Sequence, residues 1–129
     1  MNKKLVSVVL TGLLSLTLAS SAFASSSSTI IADKNGDRTG SIPGANQYGR
    51  VTLTIDTIVW YDNYAYAYVY EACPGKTLNN LGSVKGEAYN RVGTNNFWMS
   101  AACSYYAEYY KYSPEGATVS SHLTIQNNP

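Results

Sequence analysis

The residues best equipped for chemistry are few: one histidine (His122), eight carboxylates, two cysteines (Cys73 and Cys103) and twelve tyrosines. A nucleophilic triad would have to join His122 to Ser120 or Ser121 and a distant acid. Adjacent strand residues point to opposite faces of a sheet, and no strained nucleophile turn surrounds either serine. A paired-carboxylate glycosidase would draw on Glu71, Glu87 and Glu108, because strands can set two acids across a cleft. A small sandwich rarely encloses the deep pocket that desolvated catalysis needs. With no recognisable acid–base pair, the sequence points away from an enzyme.

Metal chemistry has two openings. The spacing of Cys73 and Cys103 matches no zinc pattern. Asp33, Asn35 and Asp37 place oxygens at the first, third and fifth positions of a calcium loop, which makes them a candidate for a weak extracellular calcium site. Arg38 stands where that loop wants glycine, and Gly44 where it wants a bidentate acid. A solvated turn of Asp, Asn and Gly is the simpler reading. No cofactor is expected.

Tyrosine is the residue in excess, and ten of the twelve lie within 61–70 and 105–112. Each ring offers a broad apolar face and a hydroxyl at little entropic cost, which suits stacking on sugar rings or docking to a protein. The same residue favours strands, and cross-strand aromatic pairs stabilise small sheets by roughly 0.2–1 kcal/mol each. The ligand-contacting set expected here is Tyr105, Tyr109, Tyr66, Tyr68 and Trp60. Tyr106 and Tyr110 are expected to be partly core.

Strands must carry these rings. Tyr64, Tyr66, Tyr68 and Tyr70 repeat every second residue, the period of a strand and not of a helix. Phe97–Tyr112 is their companion, and Val51, Leu53 and Ile55 alternate with Thr52 and Thr54 in a half-buried strand. Asp62-Asn63 predicts a hairpin between the runs ending at Tyr61 and starting at Tyr64. Lys76–Ser83 reads as a polar connection with room for a helical turn, Val84–Val92 as a strand, and Gly93–Asn96 as a turn. Ser113-Pro114-Glu115-Gly116 has type I turn preferences and predicts pairing of Phe97–Tyr112 with Ala117–Gln126. The fold expected is all-β: a small antiparallel β-sandwich, or partly open barrel, of six to seven strands.

The ends and the cysteines set the expected compartment. Lys3 and Lys4, the apolar run Leu5–Leu18 and Ala22-Phe23-Ala24 read as a signal peptide over 1–24, cleaved before Ser25. This leaves 25–129 as a single secreted β-domain, with 25–28 expected to be disordered. Two of the nine bases leave with the leader, so seven bases face eight acids and the net charge becomes −1. Scattered bases and a near-neutral balance exclude nucleic acid and an anionic membrane as partners of the mature form. An exported cysteine pair implies a Cys73–Cys103 disulfide. Closing a loop of that length contributes about 3.5 kcal/mol.

The function expected is a secreted, non-catalytic binding module whose tyrosine-rich sheet face contacts a glycan or an extracellular protein. A secreted antibacterial or host-directed toxin or inhibitor is the alternative, supported by size, export and the disulfide. An extracellular matrix protein is a second, since Tyr64–Tyr70 is uncharged and strongly strand-forming.

Overall fold

The structure, a computed structural model, describes residues 24–57, 63–112 and 119–128. The expected leader up to Phe23, Trp60, Asp62 and the turn expected at Ser113–Gly116 lie outside the described residues. Eight strands follow in order: β1 (Ser27–Ala32), β2 (Ile42–Pro43), β3 (Gln47–Thr57), β4 (Tyr64–Ala72), β5 (Asn79–Glu87), β6 (Val92–Met99), β7 (Ser104–Tyr112) and β8 (Ser120–Gln126). They make two antiparallel four-stranded sheets, ordered β1-β8-β3-β6 and β2-β7-β4-β5. The architecture is the all-β sandwich expected from the alternation.

Each sheet turns one parity inward, because successive strand side chains alternate between faces. The first sheet contributes Val51, Leu53, Ile55, Phe97, Met99, Leu123 and Ile125 to the core. The second contributes Ala65, Ala67, Val69, Val84, Ala107, Tyr105 and Tyr109. Large and small residues are complementary within that layer. Ala67 sits beside Tyr109 and Ala107 beside Val69, so the alanines leave the volume that the buried rings fill.

The connections differ from the hairpins expected. Only β4 and β5 are consecutive strands paired in one sheet; every other connection crosses between sheets. β3 and β4 therefore face each other through the core, and so do β7 and β8. A strand with one apolar and one polar parity can bury its apolar side by facing another sheet as readily as by lying next to its chain neighbour. Phe97–Tyr112 is two strands, broken at Ser100–Cys103, where the Cys103 N–H donates to the Ser100 carbonyl at 3.1 Å. That turn delivers Cys103 to Cys73, their Cα atoms 4.3 Å apart, and the disulfide forms at the ends of neighbouring β4 and β7.

Two further segments differ. The connection after β4 becomes strand at Asn79, and Gly93–Asn96 lies inside β6 where a turn was expected. The turn is at Ala88–Arg91, closed by the Glu87 N–H on the Asn90 carbonyl at 2.9 Å. Glycine at 93 serves close approach: a Cβ there would lie 2.1 Å from the Lys85 carbonyl oxygen. β5 and β6 cross at this corner, joining the two sheets. The serines expected to be disordered are partly strand, since Ser27 and Ser28 pair with Gln126 and Ile125.

Candidate ligand-binding face

The outward parity of the second sheet is a field of tyrosines. Tyr64, Tyr66, Tyr68 and Tyr70 of β4 lie opposite Tyr112, Tyr110, Glu108 and Tyr106 of β7. All seven rings are half-buried or exposed, while Ala65, Ala67 and Val69 between them point inward. Tyr64 stacks on Tyr112 with centroids 5.0 Å apart and on-edge against Tyr66 at 5.3 Å. Tyr66 stacks on Tyr68 at 6.2 Å, and Tyr68 meets Tyr110 edge-on at 5.6 Å. Tyr70 and Tyr106 form a second stack at 5.2 Å. Such contacts are worth about 0.5–1.5 kcal/mol each beyond burial, so the rings brace one another into a preformed surface.

Charges on this face are paired. Glu108, almost fully buried, takes the Arg38 guanidinium at 2.6 Å on one oxygen and the Tyr110 hydroxyl on the other. That bond to a carboxylate holds the Tyr110 phenol above its ordinary value. Arg38 also lies over the Tyr106 ring at 5.3 Å, bridging the two stacks. On the other side Lys85 pairs with Glu87 and lies over Tyr64 and Tyr66, at 4.9 and 5.6 Å. Two cations and two anions leave the face aromatic, hydroxyl-bearing and without net charge.

Of the expected contact residues, Tyr66 and Tyr68 stand on this face. Tyr105 and Tyr109 do not: both are fully buried, and the parity expected for β7 is reversed. Tyr106 and Tyr110, expected to be partly core, are the outward pair. The buried hydroxyls have partners, which makes the burial tolerable. Tyr105 donates to Glu71 Oε2 at 2.7 Å and accepts from the Ser100 N–H at 2.7 Å. Tyr109 shares a 3.1 Å hydrogen bond with Ser121 across the sandwich. Burial first, and then the Glu71 carboxylate, push the Tyr105 phenol up to about 12. Burial also raises Tyr109. Arg38, Lys85, Tyr64, Tyr70 and Tyr112 were not among the expected contacts. The small parity of Ala65, Ala67 and Val69 was the available sign that every tyrosine of β4 faces out.

Of the calcium candidates, Asp37 and Asn35 turn their side-chain oxygens to the backbone. The Asp37 carboxylate accepts the Asp33 and Lys34 N–H groups at 3.0 and 2.9 Å, and Asn35 Oδ1 accepts the Lys111 N–H at 2.8 Å. Amide donation from Lys34 and then Asp33 holds Asp37 below the usual carboxylate value. The loop continues along the side of β7 beyond the short β2: Gly36 donates to the Tyr109 carbonyl, Tyr109 to the Asp37 carbonyl, and Thr39 to the Ala107 carbonyl, at 2.8, 2.8 and 3.0 Å. Gly36 turns the chain there with a φ of 90°, a conformation costly for other residues. Among the described residues, the acid–cysteine group able to approach one ion is Glu71, Cys73 and Cys103, within 4.8 Å of one another. Its sulfurs are joined to each other, so no thiolate is offered.

The groups considered for catalysis have separate partners. His122 Nδ1 is 2.5 Å from Asp56 Oδ2. Ser120 donates to Thr57 Oγ1 at 3.2 Å, and Ser121 is buried against Tyr109. Glu71, Glu87 and Glu108 each hold a different phenol or cation. No family model, curated protein or solved structure matches this chain.

Proposed function

We propose that the chain is an exported, non-catalytic binding module that takes a neutral polysaccharide on the tyrosine face of its second sheet. One observation carries the reading: seven tyrosines share one sheet face, and its charged groups neutralise one another. Stacked phenols present flat apolar surface to the C–H faces of sugar rings, and their hydroxyls meet sugar hydroxyls. Bracing by neighbouring rings lowers the entropy lost on binding. Export is supported by the basic start, the apolar run and Ala22-Phe23-Ala24, and the disulfide is compatible with an oxidising compartment.

The test is retention of the purified oxidised domain on insoluble neutral polysaccharides such as chitin, cellulose and mannan. Retention of the native protein, and its loss in a Tyr66→Ser/Tyr68→Ser variant that keeps the native far-ultraviolet dichroism and still melts cooperatively, at a lower temperature for want of three ring contacts, is the expected result. Equal retention by the variant, or capture of an extracellular protein with no retention on any glycan, would remove the polysaccharide reading.

A further inference from the structure

A second aromatic site lies on the opposite side of the molecule, on the outer face of the first sheet. Tyr48 of β3 is paired with Trp98 of β6, and the next outward pair along the same two strands is Arg50 with Asn96. The two rings meet edge to face, with centroids 5.5 Å apart and planes at 80°. One ring therefore forms a floor and the other a wall. Both are open to solvent: Trp98 is 52% exposed and Tyr48 62%.

The neighbouring polar pair is oriented. Arg50 Nε donates to Asn96 Oδ1 at 3.2 Å, leaving the terminal guanidinium nitrogens and the Asn96 amide N–H group to face a ligand. Among the described residues Arg50 forms no ion pair. The acid of this face, Asp56, lies six residues further along β3, about 20 Å away at strand rise, and is held by His122. The aromatic corner thus adjoins a positive charge that no acid among the described residues pairs with. Successive outward pairs are separated by about 7 Å along the strands. A sugar ring on Trp98 would bring a carboxylate on its rim within reach of Arg50.

We propose that Tyr48, Trp98, Arg50 and Asn96 form a second site, for an acidic saccharide of the hexuronate class. Trp98 stacks on the sugar ring, Tyr48 closes one side, Arg50 takes the carboxylate through paired N–H bonds, and Asn96 donates to a ring hydroxyl. The site does not depend on the tyrosine face, and it would let one domain touch two polysaccharide chains from opposite sides.

Titration of the oxidised domain with trigalacturonate and with maltotriose, by calorimetry and tryptophan fluorescence, tests this. The native protein should bind trigalacturonate about tenfold or more tighter than maltotriose, with the preference shrinking as salt is raised. Arg50→Gln, at an exposed position, should erase that preference, and Trp98→Ala should abolish binding of the acidic sugar while Trp98→Phe retains part of it. Tyr66→Ser/Tyr68→Ser should leave the titration unchanged. Absence of any preference in the native protein would overturn the site, and so would its persistence in Arg50→Gln. Loss of trigalacturonate binding in the tyrosine variant would move the ligand to the other sheet. The retention experiment on insoluble neutral glycans reads the tyrosine face alone, so either site can fail without the other.

Discussion

At the scale of the residue, tyrosine serves two purposes according to parity. Tyr105 and Tyr109 are core residues whose hydroxyls close buried hydrogen bonds; their chain neighbours Tyr106 and Tyr110 are surface. Tyr109→Phe leaves the buried Ser121 hydroxyl without its partner and should cost about 1–2 kcal/mol in urea unfolding. Tyr66→Phe, on the outer face, should stay within about 0.5 kcal/mol. Alkali provides a second check. Tyr105 is pushed up to about 12 from 10.0, so the unfolded chain ionises first. Its contribution is fully present below about pH 10 and is lost as pH rises towards 12, at up to about 1.4 kcal/mol per unit. The urea midpoint should therefore fall between about pH 10 and 12, and less steeply in Tyr105→Phe. Asp37 has the opposite sign. Held below 3.8 by backbone amides, its contribution is present above that value and is lost as acid protonates the folded carboxyl. Hydrogen exchange at Asp33, Lys34 and Gly36 should rise in that window before the strands respond.

At the scale of the element, strands were legible wherever the pattern is local. Val51, Leu53 and Ile55 against Thr52 and Thr54, and Ala65, Ala67 and Val69 against four tyrosines, each state their inner face within a single strand. β7 cannot be read that way, because Tyr105-Tyr106 and Tyr109-Tyr110 put the same side chain on both faces. The decision lies in its neighbour: β4 presents alanine to the core, and that leaves volume for the rings of one parity only. Gly93–Asn96 misleads for a related reason, since glycine and asparagine commonly signal turns. Here Gly93 lies just past the Ala88–Arg91 turn and permits close contact between β5 and β6. Gly93→Ala should drive β5 and β6 apart and cost about 1–3 kcal/mol. The Asp33–Thr39 loop is the other element whose role is tertiary. It shields the edge of β7, and the Thr39 hydroxyl accepts the buried Ala107 N–H at 2.9 Å. Thr39→Val orphans that amide and should cost about 1–3 kcal/mol, read from the same urea titration.

At the scale of the whole molecule, a chain that crosses between sheets at almost every connection is held by long-range ties. The disulfide closes β4 onto β7 across a separation of 30 residues. Asn127, buried, accepts the Ser26 N–H at 2.8 Å, donates to the Pro43 carbonyl at 2.9 Å, and offers its own carbonyl to Gln47 Nε2 at 2.6 Å, tying the segments that flank β1 and β8 to β2 and β3. Cys73→Ala/Cys103→Ala should lower stability by about 2–5 kcal/mol, a large share of what a domain of this size possesses. The cysteine pairing and the sandwich were legible from composition and alternation. The sheet assignment was not, because it depends on which apolar faces meet across the core. The proposed polysaccharide-binding face requires that Tyr106 and Tyr110 face solvent while Tyr105 and Tyr109 do not. Nitration of the native oxidised protein with tetranitromethane, mapped by mass spectrometry of the peptide containing Tyr105–Tyr112, measures this directly. Faster labelling at 106 and 110 than at 105 and 109 is the predicted result; the reverse order would turn the second sheet inside out and take the binding face with it.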